Sequence, residues 1–135
     1  MEHLSPVPES VIDALPVLDA NQLGRSIRRH TEMEGLPDLD GIKVAIIGVQ
    51  EDRRAYRNVG CDGAADTIRP YLYQLYKGKW DFGIADLGNL YKGERHTDTL
   101  LLLKEIAQEM LQRQIVLITI GGSQDLTYAN YRGYD

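Results

Sequence analysis

Three short apolar runs, set apart by long stretches of helical period, constrain this chain more than any other feature. They are KVAIIGV (43–49), FGIADLG (82–88) and QIVLITI (114–120). Each has the length and the near-continuous apolar character of a strand buried on both faces. The first is followed by a polar loop, QEDRRAYRNVGCDG, and then by a helical pattern over 64–77. Ile68, Leu72, Leu75 and Tyr76 form its apolar stripe, Gly78 is a natural stop, and Pro70 must sit in the first turn or at a kink. The second run leads through GERHTD into the clearest helix, 98–114. Leu100, Leu103, Ala107, Met110 and Leu111 recur there at helical spacing, with Thr97 or Asp98 as N-cap. A turn and a further helix from about residue 126 follow the third run.

The order β-α-β-α-β predicts an α/β fold, with parallel strands joined by right-handed crossovers. In such sheets ligands bind beyond the carboxyl ends of the strands. Residues 48–57, 86–89 and 121–125 would therefore meet along one edge of the sheet. The first forty residues read as a peripheral helical segment (1–40), and 41–135 as the α/β part. In that segment helices are expected over 9–15, stopped by Pro16, and over 20–30, capped by Asp19.

Charge excludes one class of partner. Lys and Arg number 15 against 20 Asp and Glu, a net charge of −5, which argues against a nucleic-acid footprint. The cluster Arg25, Arg28, Arg29, His30 reads as a solvated helix face. The lone Cys61 fits a reducing, cytoplasmic setting and reads as a small buried hydrophobe. The N-terminus lacks a signal-peptide pattern, and no run is long enough to span a membrane.

The strand-end loops narrow the chemistry. GVQEDRR after the first strand lacks the glycines of a dinucleotide fingerprint, and GGSQDLT lacks the Lys of a phosphate loop. A divalent metal site needs carboxylates and imidazoles converging at strand ends. The three histidines, His3, His30 and His96, lie at no predicted strand end, and His96 reads as a solvated turn residue. Asp86 and Asp125 stand at predicted strand ends; Asp86 is expected to accept backbone hydrogen bonds in its turn.

Four segments in order, KVAIIGVQED, RNVGCDGAADTIRPYL, IADLGN and ITIGGSQD, resemble the opening half of the ureohydrolase family of arginase, agmatinase and formimidoylglutamase. Ala65, Ile68 and Arg69 match the family's helix start, and Asp86, Gly88 and Asn89 match its second-strand turn. The resemblance covers about residues 42–130. It implies a three-layer α/β/α sandwich, to which this chain would contribute about three strands. It also implies a two-manganese hydrolase in which a metal-bridging hydroxide attacks a guanidinium or formimidoyl carbon.

Against that pattern the third strand departs. Gly121 and Gly122 fit, but Ser123 stands where Asp or Gly is usual and Gln124 where the metal-binding His belongs. A neutral amide is a poor substitute for imidazole at manganese. The family's remaining ligands come from later strands. The candidate site is therefore the strand-end set Asp86, Gly121, Gly122, Ser123, Gln124 and Asp125, with Arg57, Asn58 and Gly60 on the substrate side.

The leading expectation is the N-terminal portion of a ureohydrolase-like protein, inactive alone and binding no Mn²⁺ by itself. Formimidoylglutamate is slightly favoured over agmatine or arginine, on the look of the 57–69 loop. A degenerate relative serving binding or assembly comes next, and a small flavodoxin-like interaction domain comes third. With no later strand to cover IVLITI, self-association through the open sheet edge is expected.

Overall fold

The computed structural model describes residues 1–135. Its strands are β1 (Leu4–Ser5), β2 (Arg28–Arg29), β3 (Ile42–Gln50), β4 (Gly83–Tyr91) and β5 (Val116–Gly121). The helices are α1 (Glu9–Asp13), α2 (Leu23–Ser26), α3 (Ala64–Gln74), α4 (His96–Gln112) and α5 (Leu126–Gly133), with a 3₁₀ turn at Cys61–Gly63. The sheet runs β1-β4-β3-β5, and β2 also pairs with β4. The three long strands are mutually parallel, as the β-α-β-α-β order requires.

Strand order decides where the helices lie. The chain steps from β3 to β4 on one side, then returns across β3 to β5 on the other. Two right-handed crossovers in opposite directions put α3 on one face and α4 on the other. The core divides accordingly. Ala45, Ile47, Val49, Leu87 and Leu117 pack with Leu103, Ala107 and Met110 of α4 and Ala129 of α5. Ile46 packs on the opposite side with Tyr73 of α3 and with Val7, Val11 and Ile27.

Several expectations change. The 20–30 helix is only the four residues of α2. Beyond it Arg28 and Arg29 turn extended and pair in parallel with Ala85 and Asp86. His30 is buried, with Nδ1 2.9 Å from the Leu87 carbonyl oxygen, so this cluster is not a solvated helix face. Leu4 and Ser5 add antiparallel to Leu90 and Asn89, so the N-terminal segment covers the outer edge of β4.

The expected stripe divides: Ile68 on α3, and Leu75 and Tyr76 just beyond it, are exposed, Leu72 packs partly buried against the core, and Ala65, Arg69 and Tyr73 are the buried residues of the helix. The buried face is one polar residue out of register with the apolar count because Arg69 goes inward. Pro70 lies in the helix interior, and the helix ends at Gln74, ahead of Gly78. On α4, Arg95 is the N-cap and Asp98 the third residue, its Oδ2 accepting the Arg95 N–H at 2.9 Å.

Asp86 is the largest correction among the candidate residues. It lies in the middle of β4, which continues to Tyr91, and is fully buried. A register shift against β3 between Ile46 and Gly48 lets the strand run on past it. Gly88 carries that irregularity with φ +84°, and a Cβ there would run into the Ser5 carbonyl. Asp86 does accept a backbone hydrogen bond as expected, from Gly88 N–H at 3.0 Å, but within an internal polar cluster. Arg69 donates to both of its oxygens at 2.9 Å, and Tyr73 O–H donates to Oδ2 at 2.7 Å. The rest of the guanidinium donates to Asp66, Asn89 and the Gly88 carbonyl, so each of its N–H groups is used.

Candidate functional site

Where the loops after β3 and β5 leave toward opposite faces, the strand order reverses. The crevice at that switch point is where an open α/β sheet takes ligands. Here it is stitched together by backbone. Gly122 N–H donates to Val49 O at 3.2 Å and Ser123 N–H to Glu51 O at 2.9 Å. The close approach needs glycine: a Cβ on Gly122 would overlap the Glu51 carbonyl oxygen. Ser123 is buried, and its hydroxyl also donates to Glu51 O, at 3.2 Å.

Glu51 is the hub of the site and was not among the sequence-predicted residues. Its side chain is fully buried at the end of β3. Arg53 contacts it through Nε at 3.0 Å and Nη2 at 2.5 Å, and Thr99 Oγ1 donates to Oε2 at 2.9 Å. Burial alone would push this carboxyl up. The hydrogen bonds from Arg53 side chain and backbone, with that of Thr99, outweigh it and hold the acid down to about 2. Arg53 reaches on to the Gly93 and Glu94 carbonyls, tying the loop after β3 to the loop after β4.

His96 overturns another expectation. It opens α4 and is 8% exposed, so it is not a solvated turn residue. Its Nε2 lies 2.5 Å from Asp125 Oδ2, and its Nδ1 lies 3.6 Å from Glu51 Oε1. His96 Nδ1 and Asp125 Oδ1 are buried without hydrogen-bond partners. The imidazole thus sits between carboxylates from the ends of β3 and β5, at the strand end after all. The chain signal that could have found it is its place as first residue of the helix after β4.

The two candidate loops meet only in part. Asn58 shares a cleft of about 230 Å³ with Ser123, Gln124 and Asp125, walled by Arg54 and Tyr56. Arg57 does not line it; its guanidinium lies 5.2 Å from the Tyr56 ring centroid. Gly60 is held back by its N–H, which donates to Asp52 Oδ2 at 2.6 Å. Gly121, Gly122, Ser123 and Gln124 also line a second cleft of about 240 Å³ on the outer side of β5, with Thr119, Thr127 and Asn130. Cys61 is half-buried, and burial, then the Asp52 charge, pushes its thiol up, away from a nucleophile's range.

The donor set does not fit a manganese pair. No group of three or more His, Cys, Asp or Glu side chains converges on a cation position. Asp86 is enclosed by Arg69 and Tyr73, Glu51 is neutralised by Arg53, and Asp125 is engaged by His96. What remains at the mouth is the Gln124 amide, a weak ligand for a hard divalent ion.

Comparison with known proteins places this geometry. A family model described as Arginase family matches residues 42–135. A formimidoylglutamase of Streptococcus gordonii is 27% identical over 103 residues, covering 73% of this chain and 31% of that protein. Another, of Streptococcus pyogenes serotype M49, is 28% identical over the same span and shares of length. The chain spans about a third of the length of these curated relatives. The solved agmatine ureohydrolase of Thermoplasma volcanium superposes with a TM-score of 0.65 at 16% identity, covering 93% of this chain and 41% of that one. At that identity the likeness speaks to the fold.

Proposed function

The chain belongs to the arginase family, and from that premise we propose that it is the N-terminal portion of a ureohydrolase-type unit, without turnover of its own. The switch-point cleft is the part of that unit facing a small amidine-bearing molecule. Formimidoylglutamate is the favoured one, in line with the formimidoylglutamase relatives. This reading places the unit in the cytoplasm, a reducing setting that its lone free cysteine suits. Asn58, Gln124 and Asp125 are the residues that would touch the ligand. Asp86, proposed from sequence, is left as a structural residue.

One observation carries the reading. At the strand-end turn, Ser123 faces inward, Asp125 is held by His96 through one oxygen, and Gln124 supplies an exposed, uncharged amide where the family's imidazole would stand. Family chemistry at this position needs a donor set that would bind Mn²⁺ and lower the pKa of its water. The test is a hydrolysis assay with formimidoylglutamate, agmatine and arginine, each with and without added Mn²⁺. No urea or formamide above background is expected from the 135-residue chain. Mn²⁺-dependent release of either product would overturn the proposal.

A further inference from the structure

We propose that Arg54 sets ligand specificity in the switch-point cleft: it takes a carboxylate of the ligand, while the Asn58 and Gln124 amides take a planar nitrogen-bearing end. This deepens the function proposed above and rests on its reading of that cleft as the part facing a small amidine-bearing molecule.

Three arginines follow β3 closely, and the fold gives them different tasks. Arg53 is committed to Glu51 and to the Gly93 and Glu94 carbonyls. Arg57 has φ +55° and sets its guanidinium over the Tyr56 ring, and it does not line the cleft. Arg54 lines the cleft and, unlike Arg53, has no carboxylate at ion-pair distance. It is the one basic residue among the lining side chains. A guanidinium offers its donors in a planar fork that matches a carboxylate.

The turn that carries Arg54 is fixed on both sides. Arg53 N–H donates to Glu51 Oε1 at 2.9 Å, and Ala55 N–H donates to Asp52 O at 2.8 Å. Asp52, itself buried, takes the Gly60 N–H and so closes the loop. Arg54 therefore stands between two anchored residues. Less ordering entropy is lost when a ligand arrives at a backbone already in place.

The other lining groups sort the opposite end of the ligand. Asn58 and Gln124 are both exposed, and each primary amide offers donors and an acceptor in one plane. That pattern complements a planar N–C=O or N–C=N group. Asp125, held by His96 through Oδ2, adds a carboxylate to the same cleft. A ligand with one anionic end and one planar nitrogen-bearing end meets a complementary group for each. Agmatine, cationic at both ends, brings a like charge to Arg54. The favoured class is an acidic amino acid whose nitrogen carries a one-carbon amide or amidine.

Titration of the ¹⁵N-labelled chain with N-formyl-L-glutamate and with agmatine, followed by amide chemical shifts at fixed ionic strength, tests this. The first probe carries an amide in place of the amidine, so binding is read without turnover. Saturable binding of N-formyl-L-glutamate is expected, with shifts at residues 54–58 and 123–125, and weaker binding of agmatine. Arg54→Gln is expected to weaken the first at least about tenfold, the worth of a hydrogen-bonded charge. Lys92→Gln removes an equal charge from the loop after β4, away from the cleft lining, and is expected to stay within about twofold. If Arg54→Gln fails to fold, as amide dispersion reports, Arg54→Glu carries the comparison with the same expected loss. The proposal is overturned if N-formyl-L-glutamate shows no saturable binding, if agmatine binds as tightly, if the Arg54 variant binds like wild type, or if Lys92→Gln loses as much. Mn²⁺-dependent product release in the hydrolysis assay would overturn the earlier reading and leave these titrations as they are, so the two fail separately.

Discussion

Glu51 carries the residue scale, because a buried carboxylate is held at the strand end by one guanidinium and one hydroxyl. Its acid is depressed to about 2 in the folded chain against an ordinary 4.5. A depressed carboxyl stabilises above its unfolded value and loses that contribution as pH falls through the folded one. Glu51→Gln is therefore expected to cost about 3 kcal/mol at pH 7, since Arg53 loses its counter-charge and Gln offers it a donor. Urea unfolding should show the gap to wild type closing between pH 4.5 and about 2, and constant above that window. The Arg69–Asp86 pair gives a second test. Arg69→Met leaves the Asp86 charge enclosed with only Tyr73 and backbone donors. A loss of about 3–5 kcal/mol is expected. Arg69→Met with Asp86→Leu should lose less than the two single changes summed, measured by a double-mutant cycle.

At the scale of elements, some starts and stops were legible and others were not. The periods of β3 and α4 are long and regular enough to be read directly, and Leu103, Ala107 and Met110 do face the core. Periodicity misplaced the buried face of α3, because the stripe through Ile68 and Leu75 is apolar yet the helix turns its Arg69–Tyr73 side inward. A buried ion pair made with a residue 17 positions on cannot be seen in a hydropathy pattern. The same reason hid the site's hub: Glu51 reads as one charge in a polar loop until Arg53 and Thr99 are placed around it. His96 looked solvated because the turn before α4 is polar, whereas the first residue of the helix points back over the strand ends. The start of α4 can be tested by Asp98→Ala. Its carboxylate accepts the Arg95 N–H, and the Arg95 side chain adds a second contact at 3.0 Å. Removing it is expected to lower the melting temperature in thermal melts, with the helix otherwise retained.

For the whole molecule, the α/β architecture and family membership followed from strand order and four short segments. The arrangement of the strand ends did not. Whether Gln124, Asp125 and Asn58 share one cleft depends on how the loop after β3 folds back, and that loop has no period to read. The absence of a fitting donor set has a direct consequence for the isolated chain. Its melting temperature is expected to be the same in EDTA as with millimolar Mn²⁺, since binding to the folded state alone would raise it. A rise of several degrees with Mn²⁺ would show a site that the donor geometry does not provide.

The short strand Leu4–Ser5 acts as a guard for its side of the sheet. Loss of the first six residues would bare β4 beside Asn89 and Leu90, and an uncovered strand margin is a template on which another chain can extend the sheet. A few residues at the N-terminus therefore separate a shielded margin from an adhesive one.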